Sequence, residues 1–318
     1  EVAIAAYERV MPLLDEEGVL PELLERLHGV LDELDGGPHQ IVLVDDGSGD
    51  RTGEIIRRAA ATDDRVAGVL LSRNFGHQAA ITAGLEHADG DAVVVMDGDL
   101  QDPPEAIPRL VEKYREGHDV VYARRASRKE SWWLRLAYWA FYRTIAALTT
   151  VPLPLDAGDF ALMSRRVVRV LCRMPERNRY LRGLRRWAGF RQCGIVVERG
   201  ERYAGEPKYG GRRLLKLALD GIFSFSMVPL RMATVLGGLT LAVTVSYAVY
   251  ALVAKFWLGR SPQGFTALIV TIVFMSGVQL LFLGVLGEYM GRVYRETKRR
   301  PHYVVKDRAG MPEEPGET

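Results

Sequence analysis

Only two cysteines, Cys172 and Cys193, occur among 318 residues; they are too few for a disulfide framework and fit a reducing compartment. The first hundred residues hold neither a Gly-x-Gly-x-x-Gly turn nor a Gly-x-x-x-x-Gly-Lys-Ser/Thr loop. Dinucleotide binding and P-loop phosphate transfer therefore lose their main sequence support. Excess charge is missing too: 42 Lys and Arg against 40 Asp and Glu leave a net charge of +2, which gives no global electrostatic case for nucleic acid. The most informative absence is that of Asp, Glu, Lys, Arg and His from Met232 to Ala254 and again from Ser261 to Gly287. Each run exceeds the ~20 apolar residues a helix needs to cross ~30 Å of hydrocarbon. They predict two transmembrane helices, at residues 232–256 and 265–287.

Both runs lie far from the first residue, which argues against a signal peptide. Arg212, Arg213, Lys216 and Arg231 precede the first, and Arg292, Arg295, Lys298, Arg299 and Arg300 follow the second, whereas the connection holds only Lys255 and Arg260. Cations concentrate on the cytoplasmic side of a bilayer, so the pair reads as a hairpin with both ends in the cytoplasm.

Ahead of the hairpin, short β-branched runs alternate with helical patterns. Val10 to Leu14, Ile41 to Val44, Val66 to Leu71, Ala92 to Met96 and Val120 to Ala123 read as strands. Leu20 to Leu34, Gly53 to Ala61, His77 to His87 and Pro104 to Glu116 read as helices. This alternation predicts βαβ units in a mainly parallel sheet, with ligands beyond the carboxyl ends of its strands. Three acidic clusters follow strands: Asp15-Glu16-Glu17, Asp45-Asp46 with Ser48 and Asp50, and Asp97-Gly98-Asp99. A single cluster reads equally well as helix capping; three at one sheet edge suggest a ligand site.

In Met96-Asp97-Gly98-Asp99-Leu100-Gln101-Asp102-Pro103-Pro104, glycine separates two carboxylates and lets the backbone approach a ligand closely. Hard oxygen donors of this kind suit Mg²⁺ or Mn²⁺ bridging to phosphate. Asp102 reads as the cap of a helix opened by the prolines.

The ordered set VMPLLDEEG, IVLVDDGSGD, SRNFG, MDGDLQDPP, DAGDF and RNRYLRG, followed by two apolar helices, resembles the family-2 glycosyltransferases. Within them it is most similar to the polyprenyl-phosphate glycosyltransferases, the group of bactoprenol glucosyltransferases and dolichol-phosphate mannose synthases. The resemblance runs from about Val10 to Tyr294. It implies an α/β GT-A catalytic domain, Rossmann-like with a mainly parallel sheet, over residues 8–200. An interfacial segment over 201–231, a transmembrane hairpin over 232–287 and a cytoplasmic tail over 288–318 complete the chain.

By this resemblance Pro12, Leu14, Glu16, Asp46 and Ser48 surround the nucleoside of a nucleotide-sugar, and Asp97 and Gly98 continue that pocket. Asp99 and Gln101 hold the metal on the diphosphate, and Asp159 occupies the catalytic aspartate position. Arg202 and Lys208 match a basic pair that closes over the diphosphate, and Arg125 and Arg179 are the preferred remaining phosphate contacts. The chain departs from the family at Leu14-Asp15, where Tyr-Asn is usual, so stacking of a ring on the base is not expected. Residues before Glu8 have no counterpart.

Between the last strand and DAGDF lies SWWLRLAYWAFYRTIAAL, in which Trp132, Trp133, Tyr138, Trp139, Phe141 and Tyr142 are interspersed with Arg135 and Arg143. Rings among cations suit either the bilayer interface or a core helix. The resemblance implies inverting transfer of one sugar, UDP-glucose being the first choice of donor, to a polyprenyl phosphate such as undecaprenyl phosphate at the cytoplasmic face, by a tetramer. Mannose, galactose and an aminosugar are alternatives for the sugar. A processive polysaccharide synthase of the same fold is the rival enzyme, but its Gln-x-x-Arg-Trp motif is reduced here to Arg186-Trp187, with Gly183 at the Gln position. A catalytically inactive membrane scaffold is the rival from another class.

Overall fold

A computed structural model describes residues 7–125, 157–177, 179–198, 228–257 and 264–311. These fall into two compact units, one holding a sheet with its helices and the residues from 300 onward, the other holding two long helices.

In the first unit, β1 (Tyr7–Leu13), α1 (Leu20–Glu33), β2 (Gln40–Asp45), α2 (Thr52–Thr62), β3 (Val66–Leu71), α3 (His77–His87) and β4 (Ala92–Val95) alternate as the apolar patterning predicts. A single 3₁₀ turn, Pro104–Ala106, leads into α4 (Ile107–Arg115); then come β5 (Val120–Arg125), β6 (Ala157–Ser164), α5 (Arg165–Arg173), α6 (Leu181–Trp187) and β7 (Gln192–Val197). Among the described residues the sheet has eight strands in the order β7-β5-β6-β4-β1-β2-β3-β8, where β8 is Val305–Ala309. Strands β4, β1, β2 and β3 are parallel neighbours, and β6 runs antiparallel between β4 and β5.

Helices cover both faces, which is why the strands are continuously apolar rather than alternating. Ile41 and Leu43 of β2, with Val94 of β4, pack toward α1, α2 and α4, whereas Val42, Val44, Val93 and Val95 pack toward α3, α5 and α6. The 2.0-residue period of a strand sends successive side chains to opposite layers.

Residues 288–318 were expected as a tail, and part of that stretch does something else. The last strand, β8, lies antiparallel on the outer edge of β3, pairing Gly68 with Ala309 and Leu70 with Asp307. Ser72 N–H donates to the Val304 carbonyl at 2.9 Å, Arg57 Nε to Asp307 at 2.8 Å and Tyr303 Oη to Glu86 at 2.5 Å. An unpaired edge strand is a liability, and this segment covers one. Truncation after Arg300 is expected to lower stability by about 2–4 kcal/mol, at roughly 1 kcal/mol per net hydrogen bond lost. Thermal unfolding and protease sensitivity of the β3 region measure it; an unchanged midpoint would contradict the role.

The second unit holds α7 (Val228–Trp257) and α8 (Phe265–Thr297), which pack against each other. Stretches Ala233–Trp257 and Thr271–Thr297 are long and apolar enough to cross a membrane. Helix α8 begins where the apolar run predicts, but it continues ten residues past Gly287 into charged sequence.

Candidate active site

The carboxyl ends of β1, β2 and β4 lie side by side because those strands are parallel neighbours. The acidic clusters therefore share one edge. Much of that charge is spent on architecture. The loops after β1 and β2 are tied reciprocally: Gly49 N–H donates to Asp15 at 2.8 Å, Asp15 N–H to Ser48 Oγ at 3.0 Å, and Glu16 N–H to Thr52 Oγ1 at 3.0 Å. Ser48 Oγ in turn donates to Asp45 at 2.5 Å. Asp46 is nearly inaccessible, and its two oxygens accept the N–H groups of Phe75 at 2.7 Å and Gly76 at 2.9 Å. Of the residues expected at a nucleoside, Pro12 thus lies in β1, Leu14 is exposed, Glu16 and Ser48 sit in the tied loops, and the Asp46 carboxylate holds the turn before α3.

Gly98 packs against the end of β1, where a Cβ would come 2.2 Å from Leu13 Cδ2 and 3.4 Å from the Pro12 carbonyl. The next turn is formed by Leu100 in the left-handed region, φ 56°, an uncommon conformation for a side chain of that size. Burial of Leu100 in the core holds it. Asp99 accepts the Gln101 N–H at 3.1 Å across this turn, and both residues are half-buried. Among the described residues no three His, Cys, Asp or Glu side chains form a group able to hold an ion by themselves. A carboxylate and an amide oxygen fit a hard divalent cation whose remaining positions are filled by ligand phosphate and water.

Asp102 differs from expectation. Pro103, not Asp102, takes the position before the 3₁₀ turn, and Asp102 is buried, where its charge adds to the field at Asp97.

Asp159 enters the same edge from the antiparallel side. Strand β6 pairs Val95 with Ala161, and continuing that register by two residues sets Asp97 opposite Asp159. Arg182 of α6 grips Asp159 with both forks, Nε to Oδ1 at 2.8 Å and Nη2 to Oδ2 at 2.9 Å. His77 Nε2 lies 3.5 Å from Asp97 Oδ1 and 3.5 Å from Asp159 Oδ2. Burial pushes the Asp159 carboxyl up, but hydrogen bonding to His77 and Arg182 outweighs it and holds the group well below the usual carboxylate range. Asp97 is pushed up to about 6 by burial and by the charges of Asp159, Asp102 and Asp99, with His77 opposing. Two carboxylates driven apart in pKa are the mark of a site that assigns them different work.

The depressed pKa of Asp159 has a thermodynamic consequence. Its stabilisation is fully present above the unfolded carboxylate value of about 3.9 and is lost as pH falls through the lower folded value. Thermal unfolding of the intact chain should therefore steepen in pH dependence below about 4, and Asp159→Asn should flatten that slope. Parallel slopes would contradict the ion pair.

Arg179 sits elsewhere than expected. It is buried, and its guanidinium donates to the carbonyls of Leu171 at 2.6 Å and Met174 at 3.4 Å. It donates to carbonyls at the end of α5, where the Leu171 oxygen also accepts the Met174 N–H at 3.1 Å, rather than to the carboxylate edge. Arg182, three residues on, does face it. Arg125 ends β5 with its backbone paired to Val197; its side chain, Arg202, Lys208 and the aromatic segment Ser131 to Leu148 lie outside the described residues. His77 and Arg182 were not singled out by sequence. The signal was present only as a His directly after SRNFG and as one more arginine among several.

The model of glycosyl transferase family 2 matches residues 9–172. This chain belongs to glycosyltransferase family 2. The family-2 chain is 43% identical to the uncharacterized glycosyltransferase YkcC of Bacillus subtilis, over 96% of its own length and 94% of that protein. It is 40% identical to the bactoprenol glucosyl transferase of Shigella phage SfX, over 94% of its length and 98% of that protein. Glucosyl-3-phosphoglycerate synthase from Mycobacterium tuberculosis, solved with Mn²⁺, uridine diphosphate and glucosyl-3-phosphoglycerate, overlaps with a TM-score of 0.48 at 21% identity, over 68% of this chain and 76% of that one.

Proposed function

We propose that this family-2 glycosyltransferase moves one sugar, with inversion, from a nucleotide-sugar to a polyprenyl phosphate at the cytoplasmic face of a membrane, with UDP-glucose as first choice of donor and undecaprenyl phosphate as acceptor. The observation that carries this reading is Asp159, gripped by both forks of Arg182 and sharing His77 with Asp97, on the sheet edge that also holds the Asp99–Gln101 turn. The 40% identity to a bactoprenol glucosyl transferase supports the lipid acceptor, as do the two apolar helices. Residues on both sides of those helices belong to the sheet unit, which supports an even number of crossings.

An oxygen of the lipid phosphate attacks the anomeric carbon while the bond from that carbon to the donor diphosphate breaks, and the nucleoside diphosphate leaves with the electron pair. A lipid monophosphate has a second pKa near ~6, so it needs little proton abstraction. Asp159, held ionised, is correspondingly suited to stabilise positive charge developing on the sugar and to orient the attack. Asp99 and Gln101 would hold Mg²⁺ or Mn²⁺, which supplies neutralisation of the diphosphate.

Membranes containing the chain, incubated with undecaprenyl phosphate and radiolabelled nucleotide-sugars, are expected to give a lipid-linked monosaccharide that disappears when EDTA replaces Mn²⁺. Absence of lipid-linked product from every donor would sink the reading.

A further inference from the structure

We propose that His77 is a positioning residue that ties the donor-side carboxylate Asp97 to the catalytic carboxylate Asp159, so that both remain at the same edge of the site. The proposal rests on the transferase reading above and assigns a role to a residue outside its reaction steps.

The need for such a tie follows from the sheet. The antiparallel pairing of β4 with β6 ends at Val95 and Ala161, two residues short of Asp97 and Asp159, and the charge of Asp159 opposes ionisation of Asp97. Arg182 compensates Asp159 from the α6 side. The imidazole of His77 stands 3.5 Å from an oxygen of each carboxylate, which places a proton-bearing ring between the two acids.

The fold goes to some length to put it there. His77 is the first residue of α3, a position where the helix dipole disfavours a cation. The two carboxylates outweigh that: burial lowers the ring's pKa, but the hydrogen bond to Asp159 and the charges of Asp97 and Asp159 raise it above the ordinary histidine value. The turn delivering His77 is pinned by Asp46, whose oxygens take the Phe75 and Gly76 N–H groups, and Gly76 adopts φ 101° to make it. The next residue, Gln78, accepts the Leu181 N–H at 2.9 Å and so fixes the start of α6, one residue before Arg182. The pair His77-Gln78 thereby joins three elements: the end of β4, the start of β6 and the helix that grips Asp159.

Four chains test this: wild type, His77→Ala, His77→Lys and Asp159→Asn, assayed for transfer and, by calorimetry, for binding of UDP with Mn²⁺. His77→Ala is expected to lose about 100-fold in kcat, the scale of a misplaced reacting group, while UDP affinity stays within about threefold. His77→Lys, which returns a cation to the position, is expected to recover about tenfold of that loss. A His77→Ala kcat close to wild type, a parallel loss of UDP binding, or no recovery in His77→Lys would each overturn the proposal. A second measurement needs no turnover. In the isotope-labelled chain, with six histidines, the His77 ring resonance, assigned by its loss in His77→Ala, should move in both Asp97→Asn and Asp159→Asn. No movement in either variant would overturn the tie even if wild type transferred nothing, an outcome that would sink the transferase reading alone.

Discussion

Asp159→Asn is expected to lower kcat for sugar transfer about a thousandfold, at the upper end of what removing one preorganised electrostatic group costs. The substitution keeps the shape and an acceptor for one Arg182 N–H, so the fold is expected to survive. What disappears is the negative charge that Arg182 and His77 hold at the sheet edge, which the proposed function sets beside the reacting carbon. The loss should fall on kcat rather than on donor affinity, because the charge interacts with a sugar that becomes cationic only as the glycosidic bond breaks. Replacement by Glu is not expected to rescue, since an added methylene displaces the carboxylate from the bidentate Arg182 fork. Lipid-linked product formed under saturating donor, set beside UDP binding by calorimetry, measures both quantities. A kcat within about tenfold of wild type would remove Asp159 from the reaction.

Asp99→Ala should be nearly as damaging, by about 100- to 1000-fold in kcat/KM, for a different reason. Two anionic reactants must meet, and their repulsion in a partly desolvated cleft is large unless compensated. In the proposed function the Asp99–Gln101 turn supplies oxygen donors for a hard cation; the turn itself contains the left-handed Leu100, buried in the core. In wild type, UDP affinity should rise when Mn²⁺ is added to an EDTA-treated sample; in Asp99→Ala that increment should vanish while metal-free affinity persists. The two variants are thus separable, one losing rate with binding intact and the other losing the cation's share of binding. An undiminished Mn²⁺ increment would show that Asp99 does not hold the metal.

The residues whose surroundings in the structure differ from what their sequence suggested share a cause. Arg179 and Arg182 lie three positions apart in one arginine-rich segment, and nothing local distinguishes them. Only the packing of α5 against α6 turns the first onto the carbonyls of Leu171 and Met174 and the second onto Asp159. Asp46 looked like a ligand contact because it ends a strand in an acidic cluster; its oxygens are taken by backbone N–H groups 29 and 30 residues away. Segment Val305–Ala309, with Lys306, Asp307 and Arg308 at its centre, has little strand propensity. It is extended because the edge of β3 offers backbone groups for it to pair with.

Local chemistry was enough to determine the elements from β1 to β5, the two apolar helices and the acidic character of the edge, but not β6, α5, α6, β7 or β8. Unbroken β-branched runs bury on both faces of a sheet, charge-free runs demand apolar surroundings, and parallel strands bring the loops that follow them to one side; each is a property of neighbouring residues. The tertiary structure alone decided which charges meet. Asp97, Asp159, His77 and Arg182 come from four elements and are separated by up to 105 positions in the chain, so their contacts depend on strand register and helix docking. Those are set by packing of the whole core, and no spacing in the sequence encodes them.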